Sequence, residues 1–185
     1  MNIFIKQFDK VITPSLIGRV KGGSALFLLL FTFLSCDTNN CLLETKVQCV
    51  YGFYASARSD DGAFAAGEAI SVADTITITA MGINTVLANR LVNQSGVKLP
   101  VSYYGDVDSL LFTFNATDGT GYDTLYISKR NIAHLDDPSC PAHMWHNITS
   151  VHSTHNLIDT VLVSESNINY DGLENLQIYF RTAQE

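Results

Sequence analysis

The stretch DSLLFTFNATDGTGYDTLYISKRNI, residues 108–132, decides the fold. Its two flanks, Ser109–Asn115 and Thr124–Ile132, alternate apolar with polar residues, the two-residue period of a strand with one face in a core. Between them lies ATDGTGY, whose Asp118-Gly119 step and second glycine, Gly121, mark a hairpin loop of intermediate length.

Outward from this hairpin the same pattern recurs at Lys46–Ala57, Thr75–Met81, Thr85–Leu91, Lys98–Tyr103, His143–Thr149, Leu157–Ser164 and Leu176–Phe180, with turn residues between the runs. Pro100 has no amide to donate, which places its strand at an edge or a bulge. The one helix-compatible patch, GAFAAGEAI at 62–70, is short and carries two glycines. The expected fold is all-β: a single antiparallel β-sandwich, immunoglobulin-like or related, with about eight or nine strands after an N-terminal signal helix.

Four of the strands open alike, in ADTITIT, VDSLLFTF, YDTLYIS and IDTVLVS. An aspartate closes a turn through local backbone contacts and a threonine starts the pleat, so the echo reads as strand-opening chemistry and not as a solenoid. It also resembles an O-glycosylation signal of exported Bacteroidetes proteins, at Thr75, Ser109, Thr124 and Thr160.

The N-terminal run ALFLLLFTFL, residues 25–34, is about ten residues long, half of what a helix needs to cross a bilayer. It follows Arg19 and Lys21 and ends in Ser35 before Cys36, the order of positive region, apolar region and small-residue cleavage site found in secretory signals. Phe33-Leu34-Ser35-Cys36 resembles a bacterial lipobox, in which Cys36 is acylated and becomes the mature N-terminus. The expected organisation is therefore an extension and lipoprotein signal peptide over 1–35, a lipid anchor and tether over 36–44, and a β-sandwich over 45–185. Residues 1–19, with Asp9 and Pro14, are unusual before a signal; translation from near Val20 would leave a compact one.

What remains after Ser35 is one domain of ordinary size. The net charge of −7 is diffuse and no lysine or arginine cluster provides the footprint of a nucleic-acid-binding protein. Export permits disulfides, and lipidation of Cys36 leaves Cys41, Cys49 and Cys140. Cys49 alternates in phase with Val47, Tyr51 and Phe53 as a core residue would, so Cys41 with Cys140 is the preferred bridge and one thiol stays free.

All five histidines, His134, His143, His146, His152 and His155, fall within 134–155. A metal site of His143, His146, His152 and His155 is one reading of them. On a helix each i,i+3 pair would share a face, but the β-branched and aromatic surroundings favour a strand, where the pairs split across faces. Asn115, Asp118 and Asp123 offer oxygens without the spacing of a calcium loop. No nucleophile elbow, phosphate-cradling glycine motif or opposed carboxylate pair stands out, so no catalytic residue and no cofactor is assigned. Tyr103, Tyr104, Tyr122, Trp145 and Tyr170 are the side chains that could form a carbohydrate platform or a protein interface, and adjacent Tyr103 and Tyr104 on a strand would point to opposite faces.

Several features occur in a telling order: Cys41 and Thr45 before VQCVYGFYA, the Leu-Pro of VKLPVSYY before SLLFTF, the cysteine of DPSCPAHMWHNIT, then THNLIDTVLV and a closing ENLQIYF. In these the chain resembles a family of small Bacteroidetes lipoproteins of unknown function, from which it departs at Pro141 and in the extra Cys49. The resemblance implies a fold and an address without a mechanism. The functional expectation is a lipid-anchored outer-membrane protein, on the periplasmic or the surface side, with a non-catalytic binding or structural role. Its partners would be the membrane, through the anchor, and a protein or glycan. The alternatives are a surface glycan-binding module and a histidine-rich metal-binding domain.

Overall fold

The structure is a computed structural model and describes residues 47–59, 61–72, 74–117, 119–135 and 137–181. The expected signal helix, the anchor residue Cys36 and Cys41 lie outside the described residues. Within them the chain forms β1 (Gln48–Arg58), β2 (Phe64–Ala69), β3 (Thr75–Ala80), β4 (Thr85–Leu91), β5 (Gly96–Pro100), β6 (Val107–Ala116), β7 (Gly119–His134), β8 (His143–Ser153), β9 (Ile158–Val163), β10 (Asn167–Ile168) and β11 (Leu176–Phe180). Among these residues no helix is long and apolar enough to cross a membrane.

The strands form two sheets, the all-β sandwich expected. One runs β2-β1-β11-β9, with β5 also paired to β1, and the other runs β10-β8-β7-β6-β3-β4. The β6–β7 hairpin anchors the second sheet in an unbroken register from Val107 opposite Ser128 to Ala116 opposite Gly119. Its inward phase buries Leu110, Phe112, Phe114, Leu125 and Ile127, and β3 adds Ile76 and Ile78. Facing them from the first sheet are Cys49, Tyr51, Phe53, Ile178 and Phe180. Phe180 meets both Phe53 and Phe114 edge-on, with ring centroids 5.4 and 5.5 Å apart, the favoured geometry for aromatic quadrupoles.

The β6–β7 turn is tighter than the intermediate loop expected, since Ala116 already lies opposite Gly119, and three further features differ from the expectation. The sheets are not wholly antiparallel, because β1 runs parallel to β11 from Tyr51–Leu176 to Ala55–Phe180. The two ends of the described chain thereby share one sheet. The patch at 62–70 is no helix but contains β2, which pairs with the second half of β1. Its small residues serve that pairing: a Cβ on Gly67 would lie 2.3 Å from the carbonyl oxygen of Ala55, too close for any other residue without a shift. The third is β10, a two-residue strand against His146 and Asn147 that is too short to carry a period.

β5 pairs with β1 over Gln48–Gly52, so Pro100 sits on an edge strand, opposite Gln48, as its missing amide requires. Strand β5 ends there, three residues before the end of the expected Lys98–Tyr103 strand, so Tyr103 and the adjacent Tyr104 lie in the loop that follows.

The four aspartates of the repeated strand openings are not alike. Asp74 is exposed. The other three tie distant segments together, where local turn closure was expected. Asp123, inside β7, accepts the amides of Asn156, Leu157 and Ile158 on one oxygen, at 2.9, 2.9 and 2.8 Å, and the Thr154 hydroxyl on the other. Asp159 accepts the Ser56 hydroxyl and pairs with Arg58 at 2.7 Å and Arg181 at 3.5 Å. Asp108 belongs to the site described next.

Candidate functional site

After Pro100 the chain leaves the sheet through residues 101–106 and returns as β6. The Ser102 hydroxyl donates to the Tyr104 carbonyl at 2.7 Å and accepts the Tyr104 amide at 3.1 Å, which closes a tight local turn. Gly105, at φ +77°, supplies the left-handed residue that turns the chain back. This folding points loop carbonyls inward, where buried donors must meet them.

The donors come from β7. Lys129 is buried, and its ammonium donates to the carbonyls of Ser102 and Gly105 at 2.9 and 3.0 Å and to Asn131 Oδ1 at 3.2 Å. It also lies 3.6 Å from Asp108 Oδ1, while Asp108 Oδ2 accepts the Ser102 amide at 3.2 Å. Asn131 Nδ2 donates to the carbonyls of Gly105 and Tyr103 at 2.9 and 3.3 Å. Burial raises the Asp108 carboxyl above its usual range, against the opposing pull of Lys129.

His146 lies under the same loop, stacked on Tyr103 with centroids 6.0 Å apart, and its Nδ1 is 2.7 Å from Asn131 Oδ1. Because that oxygen can only accept, Nδ1 carries the proton and donates. Nε2 is then a bare acceptor, buried and without a hydrogen-bond partner among the described residues. Burial, aided by the Lys129 charge, depresses the imidazole pKa to about 4, so the ring is neutral at pH 7.

Above this network opens a cavity of about 590 Å³, in the size range of ligand sites. The β3–β4 turn supplies Gly82, Ile83 and Leu87 to one side. Val101, Tyr103, Tyr104 and Val107 form the other, with Tyr51 and Asp108 beneath. Tyr104 is 87% exposed and Ile83 73% exposed, so the rim is apolar and open to solvent. Tyr51 and Cys49 interact below; burial pushes the Cys49 thiol up to about 12, and the Tyr51 phenol is raised as well, chiefly by burial. The site can hold an apolar or amphipathic partner. Its charged groups are already engaged within the fold.

The histidines do not converge. β8 pairs with β7 without interruption from Ile148 to His143, so His143 and His146 project to opposite faces of the sheet. Both are buried. His143 packs edge-on against Tyr170, which also meets Trp145; Trp145 in turn stacks on His134 with centroids 3.6 Å apart. His152 and His155 are exposed neighbours with centroids 5.8 Å apart, and His155 Nδ1 lies 2.9 Å from the Asp159 carbonyl. Among the described residues no group of three or more His, Cys, Asp or Glu is disposed to hold a metal.

Of the calcium oxygens, Asp118 lies outside the described residues, Asn115 accepts the Thr120 hydroxyl at 3.2 Å, and Asp123 is saturated by amides. Thr124 is buried, which closes that glycosylation position in the folded chain. Cys49 is the free cysteine among the described residues and is buried in the core. Cys140 is disulfide-bonded, while its expected partner Cys41 lies outside the described residues. Of the aromatics, Tyr103 and Tyr104 gather at the cavity, whereas Tyr122 lies exposed on β7 opposite Thr113.

The residues that sequence reasoning passed over are Lys129, Asn131 and Asp108. A signal for the first was present: Lys129 follows Leu125 and Ile127 in the inward phase of β7, where a cation requires a buried acceptor.

No curated protein and no solved structure matches the chain. The model of a family of unknown function, DUF6452, matches residues 75–180. That match runs from β3 to the last residue of β11, takes in both sides of the cavity and covers more than half of the sequence; the chain belongs to this family.

Proposed function

We propose that the protein is a lipid-anchored, non-catalytic binding component of a cell envelope of the Bacteroidetes type, held at the outer membrane through acylated Cys36. A Cys41–Cys140 bridge staples the start of the domain to the β7–β8 loop. Support for the anchor comes from the order of charge, apolar run and small residue before Cys36. For the binding role, the observation that carries it is the apolar, tyrosine-rimmed cavity between the β3–β4 turn and the 101–106 loop. Asp108, the carboxylate beneath it, is engaged by Lys129 and the Ser102 amide, which suits a floor better than an acid or base.

Metabolic labelling with a palmitate analogue tests the anchor. The wild-type chain should take up label and sediment with membranes, and Cys36→Ala should abolish both. Label retained by Cys36→Ala would overturn the reading.

A further inference from the structure

We infer that the partner of the tyrosine-rimmed end is the lipid leaflet itself: Ile83, Tyr103, Tyr104 and Val107 dock into the headgroup boundary of the membrane that holds the anchor. This rests on the anchoring of Cys36 proposed above.

The topology brings three features to one end of the sandwich. The described chain begins at Val47, and the next residue, Gln48, pairs with Pro100, the last residue before the tyrosine loop. The β3–β4 turn arrives at the same place, since Ala80 pairs with Leu110 and the Met81 amide donates to the Ser109 carbonyl. Both meet around the cavity.

This end presents a group of apolar side chains to solvent, including Tyr104 and Ile83, the two most exposed of the large hydrophobic residues described. Met81, Ile83, Tyr103, Tyr104 and Val107 are all exposed. Residues 81–84 and 101–107 together carry a single charged side chain, Asp106. Tyrosine suits the location, because its ring partitions into the boundary while its hydroxyl stays hydrated.

The length of chain between the anchor and this end selects the lipid over other partners. Ten residues separate Cys36 from Val47. Even fully extended they would reach no more than roughly 35 Å at about 3.5 Å each, and the Cys41–Cys140 bridge proposed above shortens that reach. An acylated Cys36 therefore confines this end near the leaflet at an effective concentration on the order of millimolar, where even weak apolar attraction is productive. With no lysine or arginine in the two segments, the attraction is apolar and insensitive to salt, unlike that of a basic interfacial helix.

The test uses the full, acylated chain reconstituted in vesicles of zwitterionic phosphatidylcholine, with Tyr104→Trp at this end and, as control, Tyr122→Trp on β7; native Trp145 gives a constant background. Brominated phosphatidylcholine should quench Tyr104→Trp about two-fold or more above Tyr122→Trp, with a blue-shifted emission unchanged by added salt. Equal, weak quenching of both overturns the docking. A blue shift that brominated lipid does not quench also overturns it, in favour of a second copy or a soluble ligand. The mass of the N-terminal peptide from the same preparation separates the two layers: an acylated Cys36 without quenching refutes the docking alone, and an unmodified Cys36 refutes the anchor and the docking with it.

Discussion

The ammonium of Lys129 is buried 3.6 Å from the carboxylate of Asp108, and the same ammonium holds the carbonyls of Ser102 and Gly105. One cation thus fixes both the floor of the cavity and the loop that carries its tyrosines. Lys129→Met should leave Asp108 as an uncompensated charge and the Ser102 carbonyl without its donor, while Gly105 keeps the Asn131 amide, a loss of about 3–5 kcal/mol. Urea unfolding should show a lower midpoint at unchanged slope, and adding Asp108→Asn should recover part of the loss. A change below about 1 kcal/mol would mean that water replaces the lysine at no cost.

Asp123 predicts an acid limit to stability. Burial pushes its carboxyl up, but the Thr154 hydroxyl and the amides of Ile158, Leu157 and Asn156 outweigh burial and hold it below the ordinary 3.8. Hydrogen bonding by Ser56, opposed by burial and reinforced by Arg58 and Arg181, lowers Asp159 likewise. As the pH falls, the unfolded chain takes up these protons first. The stabilisation is therefore complete well above 3.8 and is lost as the pH falls through that value and below. Asp123→Ala should cost about 3 kcal/mol at pH 7 by stranding three amides, and the stability of the variant should fall less steeply in acid than that of the wild type.

His146 gives a second, separate window. Its folded pKa of about 4 lies below the ordinary 6.5, so protons bind the unfolded chain preferentially between those values. Stability that depends on the neutral ring is complete above pH 6.5 and declines as the pH falls toward 4. An NMR titration should show the His146 ring still neutral at pH 5.5. A midpoint near 6.5 would contradict the burial of this ring beside Lys129.

Cys49, buried with its thiol pushed up to about 12, should resist alkylation in the folded protein at pH 8 and react once urea unfolds the chain. Mass spectrometry of the alkylated peptides reads this directly. Rapid labelling in the native state would place the thiol at the surface.

Much of the fold was legible because local period and burial agree. Alternation through β6 and β7 identified the hairpin, and Cys49 in phase with Tyr51 and Phe53 identified a core position. β2 was misread because its small residues are chosen for close approach to β1 and not for an apolar period. The parallel β1–β11 pair joins segments from opposite ends of the domain, a contact no local pattern carries. The aspartates show the same limit: Asp108 and Asp159 lie at strand starts as a local signal suggests and Asp123 lies inside β7, yet Lys129, Arg58 and Ile158, which meet them in that order, are remote in sequence. The cavity was visible only in part, as two tyrosines assigned to a strand. Its depth depends on Pro100 ending β5 and on Lys129 drawing the next loop inward.

The claim that the chain is held at a membrane through Cys36 is tested most directly by the intact mass of the mature protein isolated from native membranes. A chain that begins at Cys36 and carries thioether-linked diacylglyceryl, with or without an N-acyl group, is the predicted result. A chain that begins elsewhere, or an unmodified Cys36, would contradict the account.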